Sequence, residues 1–157
     1  MALRIGELPD SRLIALRLGT VCRVVCANPS YLAARGTPKA PEDLTEHDCI
    51  VYEGFRRSEV WEFVRDGTDV AVTLQPRLVV SNLEAACDAA RAGIGLTRAF
   101  SYNVKASIEE GTLTTVLDAF QPAALPVNFV YTAGRFMPIK LRAFLDFAAP
   151  RLKARLA

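Results

Sequence analysis

The sequence predicts a mixed α/β fold, and three observations carry that prediction. Short apolar runs rich in β-branched residues recur along the chain, Leu78-Val79-Val80 being one of the plainest. Residues 78–100 then read as strand, helix and strand in succession. Ser81-Asn82-Leu83-Glu84 fits the S-x-x-E capping box, Leu83, Ala86, Cys87 and Ala90 repeat at i, i+3, i+4 and i+7, and Gly93 supplies a left-handed exit. The third observation is a C-terminal stretch after Pro138, where Leu141, Phe144, Leu145, Ala148 and Leu152 follow helical spacing and leave an apolar stripe in need of a partner.

The remaining elements follow in chain order. Residues 3–6 form a short strand, and Pro9-Asp10 turns the chain. Residues 13–18 and 21–27 are two strands divided by Gly19-Thr20. Asn28 caps a helix that Pro29 opens and Gly36 closes, with Leu32 and Ala33 facing inward. Residues 37–48 are a connection holding one turn of helix at Pro41-Glu42-Asp43-Leu44. Strands are expected over 49–52, 60–64 and 70–74, with Asp66-Gly67 as a hairpin turn. Trp61 and Phe63 alternate onto one side of their strand, where aromatic rings are most useful as core. A helix over 101–110 stops at Gly111, and an extended segment follows over 113–117. Residues 119–126, with Pro122 and Pro126, read as a linker; a strand over 127–131 leads to the terminal helix, which Pro150 should kink or weaken.

Composition narrows the function classes. A chain of 157 residues, 51% hydrophobic and 23% charged, can bury a core. Nineteen basic against 17 acidic residues give a net charge of +2, too little for a general attraction to nucleic acid or membrane. No apolar run reaches the roughly 18 residues of a membrane span, and the N-terminus lacks the pattern of a signal peptide. The expected location is cytoplasmic, with no membrane partner.

The cysteines agree with a reducing compartment. Cys22 and Cys26 are four apart on an expected strand, about 13 Å at the usual rise, too far for a disulfide. Cys22, Cys26, Cys49 and Cys87 lack the C-x2-C knuckle of a metal site, so free buried thiols are expected, with no metal and no cofactor. Catalytic patterns are sparse. There is no G-x-S-x-G elbow, no phosphate loop and no H-E-x-x-H helix, and Gly93-Ile94-Gly95 follows a helix where a dinucleotide loop would open one. His47, the only histidine, sits in the polar stretch Thr45-Glu46-His47-Asp48. A small enzyme using His47 or a cysteine stands as the alternative of a different class; no catalytic residue is assigned.

Several stretches together resemble one family. Leu3-Arg4-Ile5-Gly6-Glu7-Leu8-Pro9-Asp10-Ser11, Arg23-Val24-Val25-Cys26-Ala27 with Pro29-Ser30-Tyr31-Leu32, Gly36-Thr37-Pro38 and Pro41-Glu42-Asp43-Leu44 resemble the effector-binding domain of LysR-type transcriptional regulators. So do Glu84-Ala85-Ala86, Ala92-Gly93-Ile94-Gly95, Glu110-Gly111-Thr112-Leu113, Pro126-Val127 and residues 138–147, all in the family's order. The resemblance covers nearly the whole chain.

The resemblance implies two α/β lobes of the periplasmic-binding-protein kind, with a small effector in the cleft between them. It also implies a homodimer and a winged helix-turn-helix that binds promoter DNA. That DNA-binding domain, a linker helix and the first half of lobe one would precede the segment matching residues 3–6, so the expected domain is truncated on its N-terminal side and DNA is reached only through the missing part. Residues 7–124 are expected as a complete lobe two, and residues 1–6 and 125–157 as a partial lobe one. Mapped onto this chain, the family's cleft places Gly6 and Glu7 at the lobe crossover, Ser81 and Asn82 at the helix start, and Thr97 at the end of the following strand. The ordinary alternative for Ser81 and Asn82 is that they only cap a structural helix. A small carboxylate or an aromatic metabolite is the implied ligand class.

Overall fold

A computed structural model of the chain describes residues 1–8, 13–53, 59–132 and 137–156. The turn expected at Pro9-Asp10 lies outside the described residues. The α/β prediction holds: ten strands and four α-helices are described, with 3-10 stretches at Pro41–Glu46 and Asp118–Phe120. They fall into two compact units, residues 1–21 with 123–157, and residues 22–122.

The second unit is built on a five-stranded sheet. Its strands are β3 (Arg23–Ala27), β4 (Cys49–Tyr52), β7 (Leu78–Val80), β8 (Leu96–Phe100) and β9 (Thr114–Val116), in the order β7-β4-β8-β3-β9. β4 runs parallel to β7 and β8, and β3 runs antiparallel to β8 and β9. Helix α1 (Pro29–Arg35) starts where expected. Asn28 Oδ1 accepts from the Ser30 amide at 2.8 Å, and Gly36 (φ 87°) ends it with its amide bonded to the Leu32 carbonyl. Helix α2 (Leu83–Arg91) joins β7 to β8, and α3 (Ser101–Glu109) follows β8. β5 (Val60–Arg65) and β6 (Thr68–Thr73) form a hairpin whose Asp66 and Gly67 both have positive φ, the backbone a two-residue turn requires.

Each face of this sheet carries a separate core. Trp61 and Phe63 of the hairpin pack with Val25, Tyr31, Leu44, Val51 and Leu96, as their alternation predicts. On the opposite face Ala86, Cys87 and Ala90 of α2 meet Val24, Cys26, Ile50, Ala99, Val104 and Leu113. Burying both faces of β3, β4 and β8 explains why these strands read as nearly continuous apolar runs.

The first unit is a three-stranded antiparallel sheet, β1 (Ala2–Ile5), β10 (Leu125–Thr132) and β2 (Leu13–Val21), with β10 central, and helix α4 (Ile139–Leu156). Phe144 of α4 meets Phe129 of β10 edge to face, with ring centroids 5.7 Å apart. Two expectations need correction here. Gly19-Thr20 does not end a strand. β2 runs through it to Val21 because Leu18 is an extra residue opposite Val127 and Asn128, a bulge that bends the strand without breaking it. The linker expected over 119–126 is partly strand, since β10 begins at Leu125. Pairing to β10 ties β2 to the first unit. Helix α4 continues through Pro150, which is exposed.

Candidate functional site

Strands β4, β7 and β8 are parallel, so their carboxyl ends lie on one side of the sheet, where open α/β sheets bind ligands. Tyr52 ends β4, Phe100 ends β8, and Leu83 begins α2 after β7. Arg23 opens β3 and pairs in register with Phe100, so it arrives at the same edge. Together with Ile50, Val51, Trp61, Arg98 and Ala99 they line a recess.

Arg98 sets the chemistry of this recess. It lies on β8, the central strand, and its guanidinium carbon is 5.4 Å from the centre of the buried Trp61 ring, within cation–π range. Its Nη1 is buried and has no hydrogen-bond partner among the described residues. Burial first, and the neighbouring Arg23 charge second, pull its pKa down to about 10, so it is still a cation at neutral pH. Arg23 is 4.0 Å from the exposed Glu62 carboxylate. Burial raises the Tyr52 pKa, keeping its phenol neutral. The recess is therefore positive and walled by aromatic rings.

The predicted site residues are distributed as follows. Asn82 is the N-cap of α2, its Oδ1 accepting from the Ala85 amide at 2.8 Å. The cap thus falls one residue later than the S-x-x-E spacing gives, because the chain is still extended at Asn82 (φ −147°, ψ 159°); Ser81 precedes the cap and is exposed. Both adjoin Leu83 at the recess. Thr97 is fully buried, and its hydroxyl donates to the Ile50 carbonyl at 3.1 Å, joining β8 to β4; it is not among the lining residues. Gly6 and Glu7 belong to the first unit, where Gly6 (φ 110°) donates its amide to the Pro126 carbonyl at 2.9 Å and Glu7 is exposed. Sequence reasoning missed Arg23, Tyr52 and Arg98 and favoured a core role over ligand stacking for Trp61. The available signal was Arg98 itself, a charge inside the apolar strand Leu96-Thr97-Arg98-Ala99-Phe100.

The residues of the enzymatic alternative have structural surroundings. His47 Nδ1 lies 3.1 Å from the Tyr31 hydroxyl, which accepts from the Asp48 amide at 2.9 Å. Burial pushes the Cys26 and Cys49 thiols up to about 12 and raises Cys87 as well, which suppresses the nucleophilic thiolate. All four cysteines are free thiols.

The glycines next to the site have mechanical roles. Gly93 (φ 79°) ends α2. A Cβ on Gly95 would stand 2.1 Å from the Asp48 carbonyl oxygen, so only glycine lets β8 start beside β4, where the Leu96 amide bonds that same oxygen at 2.9 Å.

Comparison with known proteins agrees with this geometry. Residues 1–153 match the LysR substrate binding domain family. An HTH-type transcriptional regulator of Xanthomonas campestris pv. campestris is 33% identical over 97% of the chain and 45% of its own length. The HTH-type transcriptional regulator CrgA of Neisseria meningitidis serogroup C is 32% identical over 97% of the chain and 51% of its own length. The chain spans about half the length of the curated relatives it matches. Among solved structures, the regulatory domain of CrgA from Neisseria meningitidis superposes with a TM-score of 0.80 at 30% identity, covering 96% of this chain and 74% of that one. LysR regulatory domains have the periplasmic-binding-protein-like two-lobe fold. Strand β4 between its parallel partners β7 and β8, a recess at their carboxyl ends and a family match across 1–153 converge, and the chain belongs to the LysR substrate-binding domain family.

Proposed function

We propose that this chain is the ligand-sensing part of a LysR-type transcriptional regulator that acts in the cytoplasm. A small anionic or aromatic effector binds it and controls promoter binding by a winged helix-turn-helix elsewhere in the regulator. The observation that carries this reading is the recess at the carboxyl ends of β4 and β8, beside the start of α2, in a chain of this family. Ser81 and Asn82 stand at that edge through Leu83, and Gly6 and Glu7 are proposed as the first unit's contribution to effector binding. The proposed role of Thr97 is to hold β8 against β4, which keeps the recess in shape.

The test pairs the chain with the full-length regulator. A metabolite library is screened for compounds that raise the melting temperature of the chain, and each hit is added to a gel shift of the regulator on DNA from its own upstream region. A hit should alter the regulator's DNA complex and be recovered unchanged, while the chain alone, with its net charge of +2, should not retard the same DNA. Chemical conversion of the hit by the chain, or specific DNA binding by the chain alone, refutes the proposal.

A further inference from the structure

We infer that the trough at the amino ends of β4, β7 and β8 is a docking surface for a segment of another protein. Arg35 and Arg77 take a carboxylate of that segment, and Ile94 takes an apolar side chain next to it. Because the three strands are parallel, this edge lies at the end of the sheet opposite the recess, so the inference is independent of the ligand-sensing reading. Asp48 leads into β4, Arg77 leads into β7, Gly93 and Ile94 lead from α2 into β8, and Arg35 is the last residue of α1. Between them lies an open trough of about 400 Å³. Small-molecule sites bury most of their ligand, whereas a metabolite in so shallow a trough would stay largely in water. An extended run of several residues can lie along it.

The charges there are unbalanced. Arg77 donates to Asp48 Oδ2 at 3.0 Å and Arg35 approaches the same oxygen at 4.0 Å, so two guanidinium groups share the one carboxylate among the lining residues. Their side chains are 62% and 51% exposed, and ion pairs this open add little to stability. The second unit as a whole has the opposite sign: residues 22–122 hold ten basic against 14 acidic residues, a net charge of −4. A positive spot on an acidic body repels a polyanion such as nucleic acid and accepts a segment with one or two carboxylates. Arginine is enriched in protein contacts, and Ile94, 39% exposed, supplies apolar surface beside the pair.

The frame behind the trough is fixed before anything binds. The Asp48 amide donates to the Tyr31 hydroxyl at 2.9 Å, and the Asp48 carbonyl accepts from the Leu96 amide at 2.9 Å. Asn28 Nδ2 donates to the Arg91 carbonyl at 2.6 Å, tying the start of α1 to the end of α2. Ala34, Ala92 and Gly93 put no long side chain in the way. A surface held in shape in advance loses little entropy on contact.

The experiment pans a phage-displayed library of random octapeptides on the immobilised chain, after depletion on a variant carrying both Arg35→Gln and Arg77→Gln. The expected result is enrichment of sequences with Asp or Glu close to Leu, Ile or Phe. A labelled synthetic peptide of the enriched sequence should bind the chain saturably in fluorescence anisotropy. Arg77→Gln and Arg35→Gln should each weaken it about tenfold, the margin of one charge-assisted hydrogen bond, and Ile94→Ser should weaken it as well. All three side chains are exposed, so the variants should melt close to the wild-type temperature, which separates a lost contact from a lost fold. Should Arg77→Gln melt early, Arg35→Gln carries the test, because its guanidinium stands farther from Asp48.

The inference is overturned if panning enriches no sequence, if the enriched sequences lack an acidic residue, or if the folded variants bind the peptide as tightly as the wild type. Displacement of the peptide by inorganic phosphate at physiological concentration overturns it too, since the trough is then a small-anion site. Dissociation of a homodimer on Arg35→Gln or Arg77→Gln in sedimentation equilibrium would show that a second copy fills the trough, which refutes a foreign segment.

Discussion

Gly95 shows how closely a single atom is specified beside the site. A methyl group there would meet the Asp48 carbonyl oxygen at 2.1 Å and its carbon at 2.8 Å, both backbone atoms that cannot swing aside. Gly95→Ala should therefore separate β8 from β4, break the Leu96-to-Asp48 hydrogen bond and destabilise the chain by about 3 kcal/mol. Urea denaturation followed by far-ultraviolet circular dichroism measures this; a change below about 0.5 kcal/mol would mean that β4 yields readily. Arg98 on the same strand represents the opposite bargain, a residue kept where stability alone would not put it. The role of Gly95 could not be read from the local sequence, and Arg98 offered only the signal of a charge within an apolar strand. Gly95 looks like half of a glycine motif until the neighbouring strand is known, and Arg98 looks like a surface charge until Trp61 is known to cover it.

At the scale of elements, the start of α2 separates two adjacent residues that the sequence treats alike. Asn82 makes the capping bond to Ala85, so Asn82→Ala should cost about 1 kcal/mol, whereas exposed Ser81→Ala should stay within about 0.5 kcal/mol. Thermal melts of the two variants decide this, and a larger loss for Ser81→Ala would place the cap where the S-x-x-E spacing puts it. Elements with local signals were legible. Asn28, Pro29 and Gly36 bracket α1, Asp66-Gly67 makes the β5–β6 turn, and Gly111 follows α3, each through chemistry contained within a few residues. What was not legible depends on partners far along the chain. The continuation of β2 through Gly19 is dictated by β10, more than a hundred residues later, and so is the assignment of β2 to the first unit. The recess was only half legible: the helix start at Ser81-Asn82 was visible, but the residues that converge on it come from β3, β4, β5 and β8.

For the whole molecule, the first unit presents apolar side chains to solvent. Leu3, Ile5, Phe144 and Phe147 are 49%, 37%, 44% and 61% exposed, and Ile139 is 88% exposed. Exposed apolar surface of this kind favours association, and a twofold contact between copies would cover it on both. The expected outcome of sedimentation equilibrium on the chain is a homodimer with Phe144, Leu145 and Leu152 of α4 at or near the contact. Leu145 is already buried within the chain, so the exposed Phe144 and Phe147 should dominate the energetics. Phe147→Ser should shift the equilibrium toward monomer, and a compact wild-type monomer at tens of micromolar would refute the dimer. The placement of β10 between β1 and β2 has one more consequence, which concerns the order of events during synthesis. Residues 22–122 form a continuous unit that can fold as soon as it leaves the ribosome, but β1 and β2 emerge first and have no strand between them until β10 has been made. At ordinary elongation rates that interval is roughly 5–20 s, during which neither β1 nor β2 has the β10 partner it takes in the folded chain.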